Sequence, residues 1–258
     1  MNLPSHHAIS RNNVAVAQIK AGQYRSSISG LTAAIHSFKH LITSTETGIT
    51  NGPNTIVIDD FINEISLFTD TDDAESQYLY DDPIRIPEVP CADGCSNNAI
   101  GSTYLECSMI SSVVVFNLAL AHHLEADRLQ KLHHEEGQSD KSTSDEEPTS
   151  DEEIYAGFRK AQQLYEIVLN MHRDVQGKKC ACDRGANVVF ALAIVNNLGL
   201  IHRELHNNDA SRKCFQHILS TLMCLTDAGY GDRLSSKLHP FFVNVTPLIS
   251  KTRVASAG

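Results

Sequence analysis

The chain has no tryptophan, only four methionines, and aromatic residues amount to 6 % of its 258 positions. A core with so few rings must be filled by Ala, Leu, Ile and Val, side chains that suit closely packed helices. No apolar run approaches the roughly 18 residues expected of a membrane-spanning helix; the longest, 188–195, has eight. The polar start, residues 1–13, holds two His and one Arg and lacks the apolar centre of a signal peptide. No membrane partner is therefore expected, and a reducing compartment, cytoplasmic or nuclear, is the default. Also missing are G-x-S-x-G, G-x-x-x-x-G-K-[ST] and G-x-G-x-x-G, which carry acyl transfer, phosphate binding and dinucleotide binding. Nor is there a basic stripe. The net charge is −10, and nine acids against one base between Glu135 and Glu153 account for −8 of it. A near-neutral body with one acidic loop argues against nucleic acid as a partner.

Seven cysteines, an odd number, fit reduced thiols. Cys107, Cys214 and Cys224 fall in apolar helical runs, where a thiol acts as a small hydrophobe. Cys91, Cys95, Cys180 and Cys182 fall in loops. Four thiolates suit zinc, but structural sites favour C-x2-C knuckles and these spacings are x3 and x1.

What the chain does contain is helical periodicity. Residues 1–10 read as a disordered tail and 251–258 as another, with one domain over 11–250. Apolar positions recur at helical spacing from Val14 through Leu41, broken at Gly22-Gln23-Tyr24. An insertion over 43–105 contains a candidate β-hairpin, 55–58 against 79–86, with Pro83 interrupting its second strand. A second helical pair runs from near Glu106 to His134 and from Ile154 to Met171. Between them, 137–152 is built of Ser, Thr, Asp, Glu, Gly and Pro, too polar to order itself. A third pair covers 186–205 and 209–226, with Asp209 as N-cap and Gly229 as stop. Residues 234–249 read as a capping helix in spite of Pro240 and Pro247.

Three segments of these helices superpose. Asn13-Val14-Ala15, Asn117-Leu118-Ala119 and Asn197-Leu198-Gly199 each begin one. Each is followed on the next helix by a small residue and, four places later, a bulky one: Ser27 and Leu31, Ala161 and Tyr165, Ser211 and Phe215. On these residues the chain resembles the tetratricopeptide (TPR) family, whose unit of about 34 residues is a helical hairpin. The second unit is split by roughly 30 extra residues between Leu118 and Ala161. Val168 and Ile218 stand where the family has Ala, and its terminal Pro is missing from all three units. The resemblance implies an all-α, TPR-like hairpin solenoid of three units plus a capping helix. It also implies a protein–protein interaction module that holds an extended peptide of another protein in a groove, with no cofactor.

Asn is a poor residue inside a helix, so Asn13, Asn117 and Asn197 in register need a reason. In similar solenoids that position lines the concave face, and its amide pairs with the backbone of an extended peptide. The other reading is that the amides satisfy polar groups inside the protein. Further groove positions carried over from the family are Asn12, Val16, Phe116, Leu120, His123, Asn196, Leu200 and Arg203. Asn12, Ala193 and Asn197 stand where a chaperone-tail clamp needs Lys or Arg, which disfavours that subclass.

The rival from another class is a metal-dependent enzyme or zinc-stabilised protein using the loop cysteines or His202 and His206. Those two imidazoles, four residues apart, share one helix face, but Glu204 points about 200° away from the general-base position of a zinc peptidase. Ser144 and Ser150, each followed by Asp-Glu-Glu, suit an acidophilic kinase, or else belong to a solvated spacer.

Overall fold

The computed structural model describes residues 4–45, 78–86, 102–136, 151–176, 184–229 and 237–248. Among them the regular structure is entirely helical: α1 (Pro4–Lys20), α2 (Tyr24–Thr45), α3 (Ser102–Glu136), α4 (Asp151–Gln176), α5 (Arg184–Glu204), α6 (Asn208–Asp227) and α7 (237–248). Helices adjacent in sequence pack as pairs, α1 on α2, α2 on α3, and α5 on α6.

The chain gathers into two compact units. The first comprises α1, α2, α3, α4 as far as Met171, and the stretch 83–86. The second comprises 78–82, the end of α4 from His172, and α5, α6 and α7.

In the first unit, Gly22 ends α1. Its φ of 72° lets Gly22 N–H donate to Ile19 O and Gln23 N–H to Gln18 O, closing the helix before α2 starts at Tyr24. Ala15, Ser27, Leu31 and Ala34 are fully buried, so the small residues sit where the two helices approach. The second hairpin closes in the same way: Gly157 of α4 lies over Ala126 of α3, where an added Cβ would stand 3.0 Å from the Ala126 Cβ. Phe116 of α3 meets Tyr165 of α4, ring centroids 5.7 Å apart. Glu125, buried on α3, is held by Arg128 at 2.9 Å and by Arg25 of α2 at 2.7 Å, while Arg25 also reaches Glu153 of α4. Burial opposes ionisation of Glu125, but hydrogen bonds from the two guanidiniums outweigh it and hold the carboxyl below its usual range.

In the second unit, α5 ends on His206 in the left-handed region at φ 59°. His206 N–H donates to Arg203 O and Asn207 N–H to His202 O, the same terminal hydrogen bonds that Gly22 permits. Asn207, not Asp209, then caps α6, its side chain accepting from Ala210 N–H. Gly229 follows the last turn of α6 with φ 77°, as the sequence suggested.

Other expectations need correction. Residues 4–10 belong to α1 instead of a tail, because Ala8 and Ile9 are buried and give this turn an apolar anchor. The stretch 79–86 pairs with no strand among the described residues. Its proposed partner, 55–58, lies outside them, as do 137–150 of the acidic loop with Ser144 and Ser150, and the loop cysteines Cys91, Cys95, Cys180 and Cys182. Asp151 and Glu152 are helical: with Glu153 they form the first turn of α4, where carboxylates favour the helix dipole. Cys224 is exposed rather than buried, and burial pushes the half-buried Cys214 thiol up to about 11. Pro240 and Pro247 both lie within the described helical residues of α7, 237–248. Finally, 109–135 in α3 is long and apolar enough to cross a membrane, contrary to expectation, although most of it is buried inside the protein.

Gly199 offers the sharpest test of the hairpin alignment. An added Cβ would lie 2.9 Å from the Phe215 ring and 3.2 Å from the Cys214 Cβ. Gly199→Leu is expected to lower unfolding stability by about 1–3 kcal/mol through overpacking, read as a reduced thermal midpoint. An unchanged midpoint would contradict the close approach of α5 and α6.

Candidate functional site

The three Asn residues are all engaged with backbone, and the backbone is the protein's own. In the first unit, Asn13 Nδ2 donates to Ile86 O at 2.8 Å and its Oδ1 accepts from Ile86 N–H at 2.9 Å. Asn117 treats Ile84 identically, at 2.7 and 2.8 Å. In the second unit, Asn197 grips Tyr80 at 2.9 and 3.1 Å. A fourth residue, Asn244 of α7, does the same to Tyr78 at 2.6 and 3.1 Å.

This pattern is that of an extended chain. In such a chain the N–H and C=O of one residue point to the same side, and the next residue with that orientation is two places away. The gripped residues are spaced accordingly, 84 and 86 in one unit, 78 and 80 in the other. Ile84, Ile86 and Tyr80 are buried, whereas the intervening Arg85 is exposed and Leu79 half-buried. Pro83, which has no N–H to give, falls at a residue that no Asn addresses.

A second Asn orients each grip. Asn12, fully buried, accepts from Asn117 Nδ2 at 2.9 Å and donates to Ile84 O at 3.2 Å. Asn196, also fully buried, accepts from Asn244 Nδ2 at 2.7 Å and donates to Tyr78 O at 3.0 Å. Each auxiliary amide thus holds a gripping Nδ2 in place, leaving the neighbouring Oδ1 directed at the backbone N–H. Removing either would take one hydrogen bond from a gripping amide and one from a gripped carbonyl, while the bond between those two groups remains.

Asn244 escaped the sequence reading because Val245 and Thr246 follow it, not a large-then-small pair as in the other three. An Asn between Val243 and Val245 inside an apolar helix was the available signal. Around the second grip, Phe241 meets the Tyr78 ring edge-on at 5.5 Å and stacks on the Tyr80 ring at 6.4 Å. Burial first, with the nearby Asp81 and Asp82 carboxylates, pushes both phenols above their ordinary range.

The other proposed groove residues, apart from Arg203, are buried side chains. Val16, Phe116, Leu120 and Leu200 belong to the core. His123 lies inside the α3–α4 hairpin, its ring 5.8 Å from Phe158 and 6.2 Å from Tyr165. Arg203 is half-buried, and among the described residues one of its terminal nitrogens is buried without a hydrogen-bond partner. Burial lowers its pKa, an effect Glu204 partly offsets.

For the metal alternative, His202 and His206 do not share a helix face, since α5 stops at Glu204 and His206 turns left-handed. Among the described residues no three His, Cys, Asp or Glu side chains gather as a metal would require. Comparison of the chain with protein-family models, curated proteins and solved structures returns no match.

Two predictions follow from the buried polar groups. Asn197→Ala, which removes two hydrogen bonds from the buried Tyr80 peptide group, should cost about 1–3 kcal/mol for each of them left unreplaced. Asn13→Ala, at a half-buried position that water can reach, should cost less. Amide hydrogen exchange checks this directly, with Tyr80 N–H losing protection in the first variant and Ile86 N–H in the second.

Burial drives the His123 imidazole down to about 3, so the fold accepts only the neutral ring. A depressed His pKa stabilises the fold above the unfolded value near 6.5, and that stability is lost as pH falls below it. Between pH 7 and pH 5 this residue should remove about 2 kcal/mol. The check is unfolding at both values, with His123→Phe showing a correspondingly flatter dependence.

Proposed function

We propose that this protein is a TPR-like helical-hairpin binding module, not an enzyme, that grips extended polypeptide backbone with paired Asn amides. One observation carries the reading: four Asn side chains each take both the N–H and the C=O of a residue in an extended segment. An amide offers one donor edge and one acceptor edge, which match a peptide unit whatever its side chain. The TPR-like placement of Asn13, Asn117 and Asn197 supports the same reading, as does the recurrence of the device in two separate units.

The partner is an extended segment of another protein, and it competes with residues 78–86 for the same amides. Self-occupancy lowers the apparent affinity for that partner by the fraction of molecules in which the seat is open. The segment is thus both a structural filler and a resident competitor.

The test uses the full chain with 78–86 replaced by nine Gly/Ser residues. A fluorescent peptide spanning 77–87 is expected to bind this variant in an anisotropy titration, or to restore its helical circular dichroism if the substitution loosens the fold. It should not bind the unaltered chain, and Asn117→Ala with Asn197→Ala should abolish both effects. If the peptide neither binds nor restores the helical signal, the proposal is overturned.

A further inference from the structure

We propose that the second unit selects partners whose extended segment carries two aromatic side chains two residues apart, and that Phe241 is the residue that reads them. The inference rests on the peptide-binding reading above and adds the chemistry of the ligand to it.

The Asn amides are blind to side chains, so discrimination must come from what surrounds them. In the second unit that is Phe241, fully buried on α7, three residues before Asn244. A spacing of three puts ring and amide on the same helix face. One helix therefore supplies the backbone grip on residue 78 and the ring that both gripped side chains contact. Tyr78 presents its ring at 90° to Phe241, and Tyr80 lies parallel to it within 4°. Edge-to-face and stacked arrangements are the favoured geometries of ring pairs, whose quadrupoles then attract. A branched aliphatic side chain at either position would bury area without that attraction. Leu79 between them is gripped by no Asn among the described residues, and like Tyr78 it stands half-buried. The first unit supplies the contrast within the same protein: its gripped residues, Ile84 and Ile86, are aliphatic, held by the same amides.

The occupant is thus a partner protein with an aromatic-x-aromatic strand, and the chain's own Tyr78-Leu79-Tyr80 is the resident example of it. The experiment uses the full chain carrying Tyr78→Ala and Tyr80→Ala, titrated with fluorescent eight-residue peptides of the 75–82 sequence. Their central triplets are Tyr-Leu-Tyr, Phe-Leu-Phe, Ile-Leu-Ile or Ala-Leu-Ala. The two aromatic peptides are expected to bind roughly tenfold or more tightly than the Ile peptide, since each ring pair is worth about two- to tenfold. Adding Phe241→Leu should bring the two aromatic peptides and the Ile peptide within about twofold of one another, with the Ala peptide still weaker because it buries less area. Equal binding of the Ile and Tyr peptides to the Phe241 chain would overturn this inference and leave general peptide binding standing. No binding of any peptide would overturn both. Competition by the unaltered whole chain would overturn the partner assignment in favour of exchange between copies. Should the double variant not fold, Tyr78→Phe and Tyr78→Ile in the otherwise unaltered chain replace it. The Phe variant should keep the thermal midpoint, and the Ile variant should lower it only while Phe241 is present. Equal midpoints for the two would overturn the proposal.

Discussion

A helical protein that buries an extended segment must satisfy its peptide groups without a neighbouring strand. Orphaned backbone N–H and C=O groups cost as much as lost hydrogen bonds, and a strand normally finds its partners in a sheet. Here Asn side chains projecting from helices take that part. The arrangement solves two problems together, since a buried Asn amide is itself costly until both its edges are paired. Helix and strand therefore depend on each other.

The device recurs with the same wiring. Asn12-Asn13 and Asn196-Asn197 are the two Asn-Asn pairs on which it is built, each followed two residues later by a small residue, Ala15 or Gly199. In each pair the second Asn grips a residue, Ile86 or Tyr80. The first Asn steadies an Asn on a later helix, Asn117 or Asn244, which grips the residue two places earlier in the chain. Small residues beside the pair serve the same end by packing. Gly199 lets the Phe215 ring lie against the backbone of α5, and Ala15 is completely buried in the first hairpin. Position and chemistry repeat together, whereas the gripped side chains do not, being aliphatic in one unit and aromatic in the other.

Much of this was legible. Helical periodicity located six of the seven described helices within a few residues, apart from the start of α1, and the stretch read as a capping helix is helical over 237–248 in spite of its two prolines. The Asn register was legible because Asn has no business inside a helix without a partner. The ligand was not. Alternation of Tyr78, Tyr80, Ile84 and Ile86 signals an extended chain with one buried face, and that signal is identical whether strand or amide supplies the hydrogen bonds. Asn244 was hidden for a related reason: without a large-small pair after it, only its polarity in an apolar helix distinguished it. The placing of His202 and His206 on one helix face failed because His206, just past the end of α5, adopts a left-handed conformation usually left to Gly or Asn, and nothing in its type announces that.

If the amides hold a partner as proposed, self-occupancy shapes what they can contribute to recognition. A tethered segment competes at an effective concentration on the order of millimolar when its linkers allow it to reach. Any incoming strand exchanges the same amide hydrogen bonds for those the resident segment gives up, so the amides contribute almost nothing to the difference in free energy. They fix register and direction. What decides the exchange is the difference between side chains at the gripped positions and the few groups that meet them, Phe241 above all in the second unit. On the proposed function, a backbone-reading ladder filled by its own chain would act as a comparator of side chains, because the term common to every peptide cancels.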